Sequence, residues 1–491
     1  MGVLLPVFSL PSPYGIGTFG KEAFRFVDFL AAGKQAYWQM LPLNPTSYGD
    51  SPYQSFSAFA LNPYFIDLDK LEEEGLLTAL DLEPVTVPFK DRIDYGWVYF
   101  NRYPVLRKAF SRFVEGGLDR SPALLKFVEE ESYWLEGYAA FMVLKDYFKG
   151  KSFQEWPTLA KDSKSPWVKN FIDSNQEALD FYRFLQFEAY RQYGELKAYA
   201  HSKGVRIIGD IPIYAALDSA DVWSNPDQFQ LGIDKKPVWV AGVPPDYFSA
   251  TGQLWGNPIY DYKRMEKDGF RWWKDRVRNA SNIYDVLRID HFRGMADYWA
   301  IPFPSKDATP GHWEIGPGTK LVDAIKEAAK DMQIVAEDLG ALDDSVYRLK
   351  AYSQWPGMHI FEFGFDSKDP SNHDLPANYE PNSVAYIGTH DNQTLKGFIA
   401  NHPNLYPFMG QVLGTSNPNS FYETMIWQLA ESKADLVIYQ MADVLGYDDY
   451  ARLNTPATLG GTNWQFRIHQ DYDKGGASDK LAQIATKTKR I

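Results

Sequence analysis

The chain has 491 residues, of which 45% are hydrophobic and 23% charged, as is usual for a globular protein. Its net charge of −13 argues against a nucleic-acid partner, because phosphate binding needs a basic surface, and against binding to an anionic membrane. The sequence contains no cysteine, which excludes disulfides and thiol catalysis and fits the cytoplasmic location that we expect.

The first 70 residues predict a strand, a helix, a second strand and a long loop. The opening segment, residues 1–17, is apolar but holds three prolines and no basic start, so we do not expect a signal peptide. No stretch of the chain is long enough to predict a membrane span. Lys21–Ala32 predicts a helix and Ala36–Leu41 a strand. Residues 42–57 are rich in turn formers, and an ordered loop of this length is more often functional than idle.

Residues 70–200 have long charged stretches with a helical pattern. The clearest are Pro122–Gly150 and Ser174–Lys203. We interpret this region as a helical insertion that frames a single catalytic unit spanning residues 1–491.

Strand and helix patterns then alternate along the chain. Apolar runs at 205–209, 285–289, 332–336, 358–363 and 383–388 predict buried strands, and Lys320–Lys330 predicts one of the helices between them. A turn-rich stretch at 217–260 predicts loop. Parallel strands that alternate with helices are typical of an α/β barrel, in which the carboxyl ends of the strands meet on the catalytic face.

Acidic residues stand where four of these apolar runs end: Asp210, Asp290, Glu337 and, with His390 before it, Asp391. Several carboxyl groups on one face, with no cysteine and no evident metal cluster, indicate acid/base and nucleophilic chemistry on a sugar. The aromatic content of 16% agrees either with a well-packed core or with sugar binding by flat rings.

The spacing around two of these acids suggests different protonation states. Arg288 and Asp290 are two apart on one strand, so their side chains share a face and the guanidinium favours a charged carboxylate. Such a carboxylate suits a nucleophile, but a structural ion pair is equally compatible with the spacing. Glu337 ends an apolar strand, where desolvation raises its pKa and lets it act as an acid. Asp338 points the other way and is expected to anchor a neighbouring loop.

The His390–Asp391 pair leaves more alternatives open. It could bind sugar hydroxyls, stabilise structure, or belong to a triad or a metal site. A Gly-x-Ser-x-Gly elbow, an HExxH motif and a phosphate loop are all absent from the sequence, and the eight histidines are scattered. These absences weaken the triad, zinc and nucleotide alternatives.

The chain resembles the amylomaltases, bacterial 4-α-glucanotransferases related to the α-amylase superfamily, over nearly its whole length. The resemblance is carried by segments 9–17, 38–42, 49–58, 209–214, 244–258, 288–294, 336–340 and 388–394. It implies a (β/α)8 TIM barrel with helical insertions and no separate C-terminal β-domain. One departure is Pro6-Val-Phe8, where many relatives carry a histidine and a hydroxyl residue.

The resemblance also implies roles for single residues. Asp290 matches the nucleophile, Glu337 the acid/base and Asp391 the transition-state stabiliser. Tyr53 matches an aromatic residue that binds glucan away from the cleavage point, and residues 242–258 match a flexible loop on the acceptor side. The expected substrate-binding residues are Tyr53, Asp210, Asp246, Tyr247, Phe248, Gln253, Trp255, Asn257, Arg288, His291 and His390.

The implied activity is transfer of α-1,4-glucan segments between maltooligosaccharides, within maltodextrin, glycogen or starch metabolism. It would proceed with retention, and we expect the carboxyl groups of Asp290 and Glu337 to lie about 5–5.5 Å apart. The alternatives are an α-amylase-type hydrolase and a catalytically silent glucan-binding protein. We expect no cofactor and no metal, since no calcium-type carboxylate loop is evident. A monomer or a homodimer is expected.

Overall fold

A barrel of parallel strands forms the centre of the molecule. The structure, a computed structural model, describes residues 1–47, 49–245, 249–340 and 342–490. Within them the strands are β1 Gly2–Leu4, β2 Tyr37–Gln39, β3 Arg206–Pro212, β4 Trp239–Val243, β5 Gln253–Pro258, β6 Val286–Asp290, β7 Asp297–Pro302, β8 His312–Ile315, β9 Gln333–Ala336, β10 Gly357–Ile360, β11 Ser383–Tyr386 and β12 Leu436–Gln440. Eight of these strands pair in parallel in the order β10-β11-β12-β1-β2-β3-β6-β9. The predicted TIM barrel is confirmed.

The sheet closes between its two end strands, β9 and β10. The Ala336 amide donates to the Pro356 carbonyl at 2.9 Å. Asp338, just beyond β9, accepts the Met358 amide of β10 at 2.8 Å and also pairs with Lys350. Asp338 therefore anchors the neighbouring strand, which agrees with its predicted orientation away from Glu337.

Helices flank the barrel and fill the predicted insertion. They are α1 Lys21–Ala32, α2 Leu68–Glu73, α3 Ala79–Leu82, α4 Tyr95–Glu115, α5 Pro122–Glu130, α6 Ser132–Tyr147, α7 Thr158–Lys161, α8 Pro166–Asp173, α9 Gln176–Ser202, α10 Ala220–Ser224, α11 Tyr262–Lys267, α12 Arg271–Ile283, α13 Thr319–Ala329, α14 Asp344–Ser353, α15 Leu395–Asn401, α16 Tyr406–Leu413, α17 Phe421–Glu431, α18 Met441–Val444 and α19 Ala477–Lys487. None of the described helices is both long and apolar enough to cross a membrane.

The apolar stripes explain why these helices form where they do. In α13 the side chains of Leu321, Val322 and Ile325 are all buried, as the spacing predicts. The stretch at 122–150 is two helices that meet at Glu131, whereas the stretch at 174–203 is the single helix α9. Buried side chains of α6 and α9 belong to the same connected core as the barrel strands. That the insertion and the barrel fold as one unit stays a prediction.

The structure differs from the sequence prediction in three strand regions. Strand β12 completes the barrel, although residues 436–440 were not predicted as a strand. Strand β10 stops at Ile360, and residues Phe361–Phe365 turn into a 3-10 helix instead of continuing to 363. The turn-rich stretch contains β4 and β5, which join β7 and β8 in an antiparallel sheet of order β5-β4-β7-β8. Strand β5 contains a glycine and a proline, and because both residues are uncommon in strands, the sequence pattern does not predict it.

Candidate active site

Parallel pairing of β3 with β6 sets two acids around one arginine. Asp210 and Arg288 are register partners, and Asp290 lies two residues further along β6. The Arg288 Nη1 donates to both carboxylate oxygens of Asp210 at 2.7 and 2.8 Å, and its Nη2 lies 3.0 Å from Asp290 Oδ1. This confirms that Arg288 and Asp290 share a face.

The environment keeps this arginine charged. Burial alone would lower the pKa of Arg288, but the charges of Asp210 and Asp290 outweigh burial and raise that pKa well above its ordinary value. One guanidinium therefore serves two carboxylates. The Asp210 side chain is fully buried, whereas the Asp290 side chain is 32% exposed. Of the two, Asp290 is the carboxylate that a substrate can reach.

Glu337 follows β9 beside this cluster. Its Oε2 accepts the His291 amide at 2.7 Å and its Oε1 accepts the Leu339 amide at 2.9 Å. Burial, reinforced by the charge of Asp290, raises the pKa of Glu337 to about 7, although Arg288 and the two amides oppose the rise. At neutral pH this carboxyl can therefore both hold and release a proton, as a general acid/base must.

Tyr53 lies inside the carboxylate cluster. Its hydroxyl donates to Asp210 Oδ2 at 2.8 Å, and its ring stacks on that of His390 with centroids 5.2 Å apart. The resemblance had placed this aromatic residue away from the cleavage point. In the structure Tyr53 lies one hydrogen bond from Asp210, which Arg288 also binds, and its role in glucan binding stays a prediction.

The His390–Asp391 pair extends the cluster from β11. His390 is buried and its Nε2 lies 3.5 Å from Asp391 Oδ2. The Asp391 side chain is 44% exposed, and its Oδ1 accepts the amide of Asn454 at 2.6 Å. In the described residues no group of three or more His, Cys, Asp or Glu side chains is placed to hold a metal ion.

The small antiparallel sheet brings part of the predicted loop to the site. The Trp255 ring meets the His291 ring edge-on with centroids 4.8 Å apart, and its indole nitrogen donates to Gln253 at 3.1 Å. Burial lowers the pKa of His291 to about 4, so its ring is neutral at physiological pH. Asn257 donates to the Ala215 carbonyl at 2.9 Å and accepts from Gln54. The predicted residues Asp246, Tyr247 and Phe248 lie outside the described residues.

Several residues at the site were missed from the sequence. Arg452, Asn454 and Trp464 come from a loop without periodicity, where no signal marks them. Asp443 follows β12, so the rule that found the other acids would have found it too, whereas Glu362 lies inside the predicted run 358–363 and is not marked by that rule. Burial raises the pKa of Asp443 to about 7 and that of Glu362 well above its ordinary value.

These groups together provide three different carboxyl environments at one end of the barrel. Asp290 is paired with a guanidinium, Glu337 can hold a proton at neutral pH, and Asp391 is bound by a neutral amide. Such a set can protonate a leaving oxygen, attack a carbon and stabilise a cationic intermediate state on one substrate.

Comparisons with known proteins agree with this geometry. Residues 5–472 match the family described as 4-alpha-glucanotransferase. The 4-alpha-glucanotransferase of Streptococcus pneumoniae serotype 4 is 44% identical over 494 residues, covering 100% of this chain and 97% of that protein. The 4-alpha-glucanotransferase of Thermus thermophilus is 40% identical and covers 100% and 99%.

A solved structure is similar over the same length. Amylomaltase from Streptococcus agalactiae, in complex with acarbose, superposes with a TM-score of 0.95 at 39% identity, covering 99% of both chains. Amylomaltase from Corynebacterium glutamicum shares the fold, with a TM-score of 0.80 at 18% identity. With a family match over almost the whole chain and relatives above 40% identity, this protein belongs to the 4-alpha-glucanotransferase family.

Proposed function

We propose that the protein moves α-1,4-glucan segments from a donor maltooligosaccharide to the 4-hydroxyl of an acceptor glucan or glucose, with retention of configuration. The observation that carries this proposal is the presence at one site of Asp290, which contacts the Arg288 guanidinium at 3.0 Å, and Glu337, whose pKa is about 7. Retaining glycosidases need one ionised and one protonated carboxyl at the same bond.

The roles follow from these protonation states. Glu337 gives its proton to the leaving glycosidic oxygen while the Asp290 carboxylate bonds to the anomeric carbon. The acceptor 4-hydroxyl then attacks that carbon, loses its proton to Glu337 and displaces Asp290. The separation of about 5–5.5 Å between the two carboxyl groups stays a prediction.

Three further groups support the sugar in this proposal. Asp391 hydrogen-bonds its hydroxyls and stabilises the positive charge that develops on the ring. Arg288 and Asp210 hold the nucleophile, since the pair fixes the end of β6 against β3. His390 and Tyr53 present stacked rings beside the same sugar.

Transfer instead of hydrolysis requires the acceptor to outcompete water. Trp255 beside His291 offers an aromatic surface on which an acceptor sugar can stack, and Gln253 offers an amide group for its hydroxyls. Asn257 is buried and contributes by holding Gln54 and the Ala215 carbonyl beside the site. Residues 242–258 as a whole would then supply effective concentration and exclude water. Asp246, Tyr247 and Phe248 are proposed as part of this acceptor site.

Digestion of pure maltotriose, followed by chromatography and a reducing-end assay, tests the proposal. Glucose with a ladder of longer maltooligosaccharides and constant reducing ends is the expected result. Glucose and maltose with rising reducing ends would instead indicate the α-amylase-type hydrolase. No change with maltotriose or with longer donors would indicate a silent glucan-binding protein.

The wider setting is proposed from the sequence. We propose α-1,4-glucans as the substrates, a cytoplasmic location, no nucleic-acid or membrane partner, and a monomer or homodimer in solution. Sedimentation of the purified protein checks the last point, since a larger assembly would contradict it.

A further inference from the structure

The carboxylate of Asp391 differs from those of Asp210 and Asp290 in its partners. In the described part of the chain, no lysine or arginine lies within ion-pair distance of it. Its close partner is the Asn454 amide, which donates to Oδ1 at 2.6 Å. The other oxygen, Oδ2, lies 3.5 Å from His390, and the side chain is 44% exposed. The Asn454 amide therefore fixes Oδ1, while the carboxylate of Asp391 remains partly exposed to solvent and accessible to a substrate.

Hydrogen bonds to the backbone of His390 and Asp391 hold the segment that contains Asn454 in place. Its backbone N–H donates to the His390 carbonyl at 3.1 Å, and its own carbonyl accepts Arg452 Nε at 2.7 Å. Arg452 Nη2 in turn donates to the Asp391 carbonyl at 2.8 Å. Counting the bond between the two side chains, three hydrogen bonds join the segments 390–391 and 452–454, and the bond from Arg452 to the Asn454 carbonyl braces the second segment.

From these contacts we infer that Asn454 is a positioning residue for Asp391. The inference rests on the proposed function, in which Asp391 stabilises positive charge on the sugar ring. A neutral amide can fix the orientation of a carboxylate and favour its ionised form without adding a positive charge beside the developing cation. A lysine or arginine at this place would cancel part of the charge that Asp391 supplies.

The first test compares N454A with wild type in glucose release from maltotriose. This readout counts cleaved bonds whether the other product goes to an acceptor or to water, so it does not depend on the transferase assignment. We expect kcat to fall roughly tenfold or more with little change in KM, because a hydrogen bond to a charged group is lost where charge develops. A kcat within twofold of wild type would overturn the inference.

The second test uses N454D, which replaces the amide by a carboxyl of the same shape. Two carboxyl groups at hydrogen-bond distance share a proton, and the introduced carboxyl can donate to Asp391 only while it carries that proton. The ratio of N454D to wild-type kcat should therefore rise as the pH falls from 8 to 5. The same ratio for N454A should not vary with pH. An N454D ratio that stays flat between pH 8 and 5 would overturn the inference.

N463A is the matched control in the same segment. Asn463 accepts the Thr455 amide at 3.0 Å and donates to Thr458, so its loss loosens the loop without removing a partner of Asp391. Its kcat ratio should be independent of pH. A pH-dependent ratio in N463A would show that the loop, and not the Asn454 amide, causes the effect.

A crystal structure of N454A gives a readout that needs no activity. The Asp391 carboxyl should leave its wild-type position when the amide is gone, and an unmoved carboxyl would overturn the inference. If wild type cleaves no glucan, the proposed function fails, while this structural comparison still decides whether Asn454 positions Asp391.

Discussion

The acidic residues on two sides of the barrel's carboxyl end have different partners. On the arginine side, formed by Asp210, Arg288, Asp290 and Glu337, a guanidinium or backbone amides contact every carboxyl group. On the acid side, formed by Glu362, Asp391 and Asp443, the donors are neutral: Asp391 accepts the Asn454 side-chain amide and Asp443 accepts the Leu395 backbone amide. Burial then raises the pKa of Glu362 and Asp443.

The difference shows how one residue type takes several protonation states within one site. Burial raises the pKa of Asp210, and the charge of Arg288 opposes that rise, whereas only the Leu395 backbone amide opposes the rise that burial causes in the pKa of Asp443. Glu337 lies at the boundary, where burial and the charge of Asp290 raise its pKa and Arg288 limits the rise. The position of Arg288 therefore determines which buried carboxyl groups have a cation that opposes the rise in their pKa.

The largest expected effect comes from removing the reactive carboxylate on the arginine side. D290N should lower glucose release from maltotriose by at least about four orders of magnitude, because the nucleophile is lost. Glucan binding, measured by titration calorimetry with maltoheptaose, should persist because Arg288 and Asp391 remain. Near-normal turnover in D290N would exclude Asp290 as the nucleophile.

Removal of the Arg288 guanidinium tests whether the arginine side depends on this cation for its stability. R288M leaves Asp210 buried without its partner, and we expect a loss of about 3–5 kcal/mol in the free energy of unfolding. The double variant R288M/D210N should recover part of this loss, since the buried charge is then absent. Urea unfolding measures both changes.

The control for this prediction is a partly exposed arginine. R278M removes the ion pair with Asp275 on α12, where the Arg278 side chain is 48% exposed, and should lose no more than about 1 kcal/mol. Equal losses for R288M and R278M would contradict the special role of the buried guanidinium.

The pH dependence of kcat/KM tests whether Glu337 is the proton donor. Glycosidic cleavage needs Glu337 protonated, so kcat/KM should fall as the pH rises through about 7, roughly tenfold per pH unit well above it. Initial rates on maltotriose between pH 4 and 9 measure this. A profile without an alkaline limb up to pH 9 would exclude Glu337 as the proton donor.

A further prediction concerns the acid side. The pKa of Asp443 is about 7 in the folded protein, against about 3.9 in an unfolded chain, so folding binds a proton there between these values. Stability from this group is therefore present below pH 4 and is lost as the pH rises towards 7, by up to about 1.4 kcal/mol per unit.

D443N should reduce that slope and raise the melting temperature at pH 8, with little change at pH 4. Thermal unfolding followed by circular dichroism across this range measures it. D227N, at an exposed position, should leave the slope as in wild type. An unchanged slope in D443N would show that Asp443 does not titrate in this window.

Most of the barrel and its acids could be predicted because their signals are local. An apolar run followed by an acid identifies a strand and the residue at its end, and this found Asp210, Asp290, Glu337 and Asp391. The same pattern was overlooked at β12, and with it Asp443.

What could not be predicted depends on contacts between distant segments. Asn454 and Asp391 are 63 positions apart in the chain, and Tyr53 and Asp210 are 157 positions apart. No periodicity in the sequence predicts either contact. The small sheet was missed for a related reason, because short strands with glycine or proline show little pattern before tertiary packing fixes them. The break between α5 and α6 at Glu131 contains neither residue, so no such signal marks it.

The small sheet has a consequence for how this enzyme can change. Val243 and Gln253 are register partners on β4 and β5, so the segment between them starts and ends at one fixed point of the frame. The entropy of closing such a segment grows only with the logarithm of its length. Natural variation or design can therefore lengthen or replace residues 244–252, which belong to the proposed acceptor site, while the barrel and its carboxyl groups stay as they are.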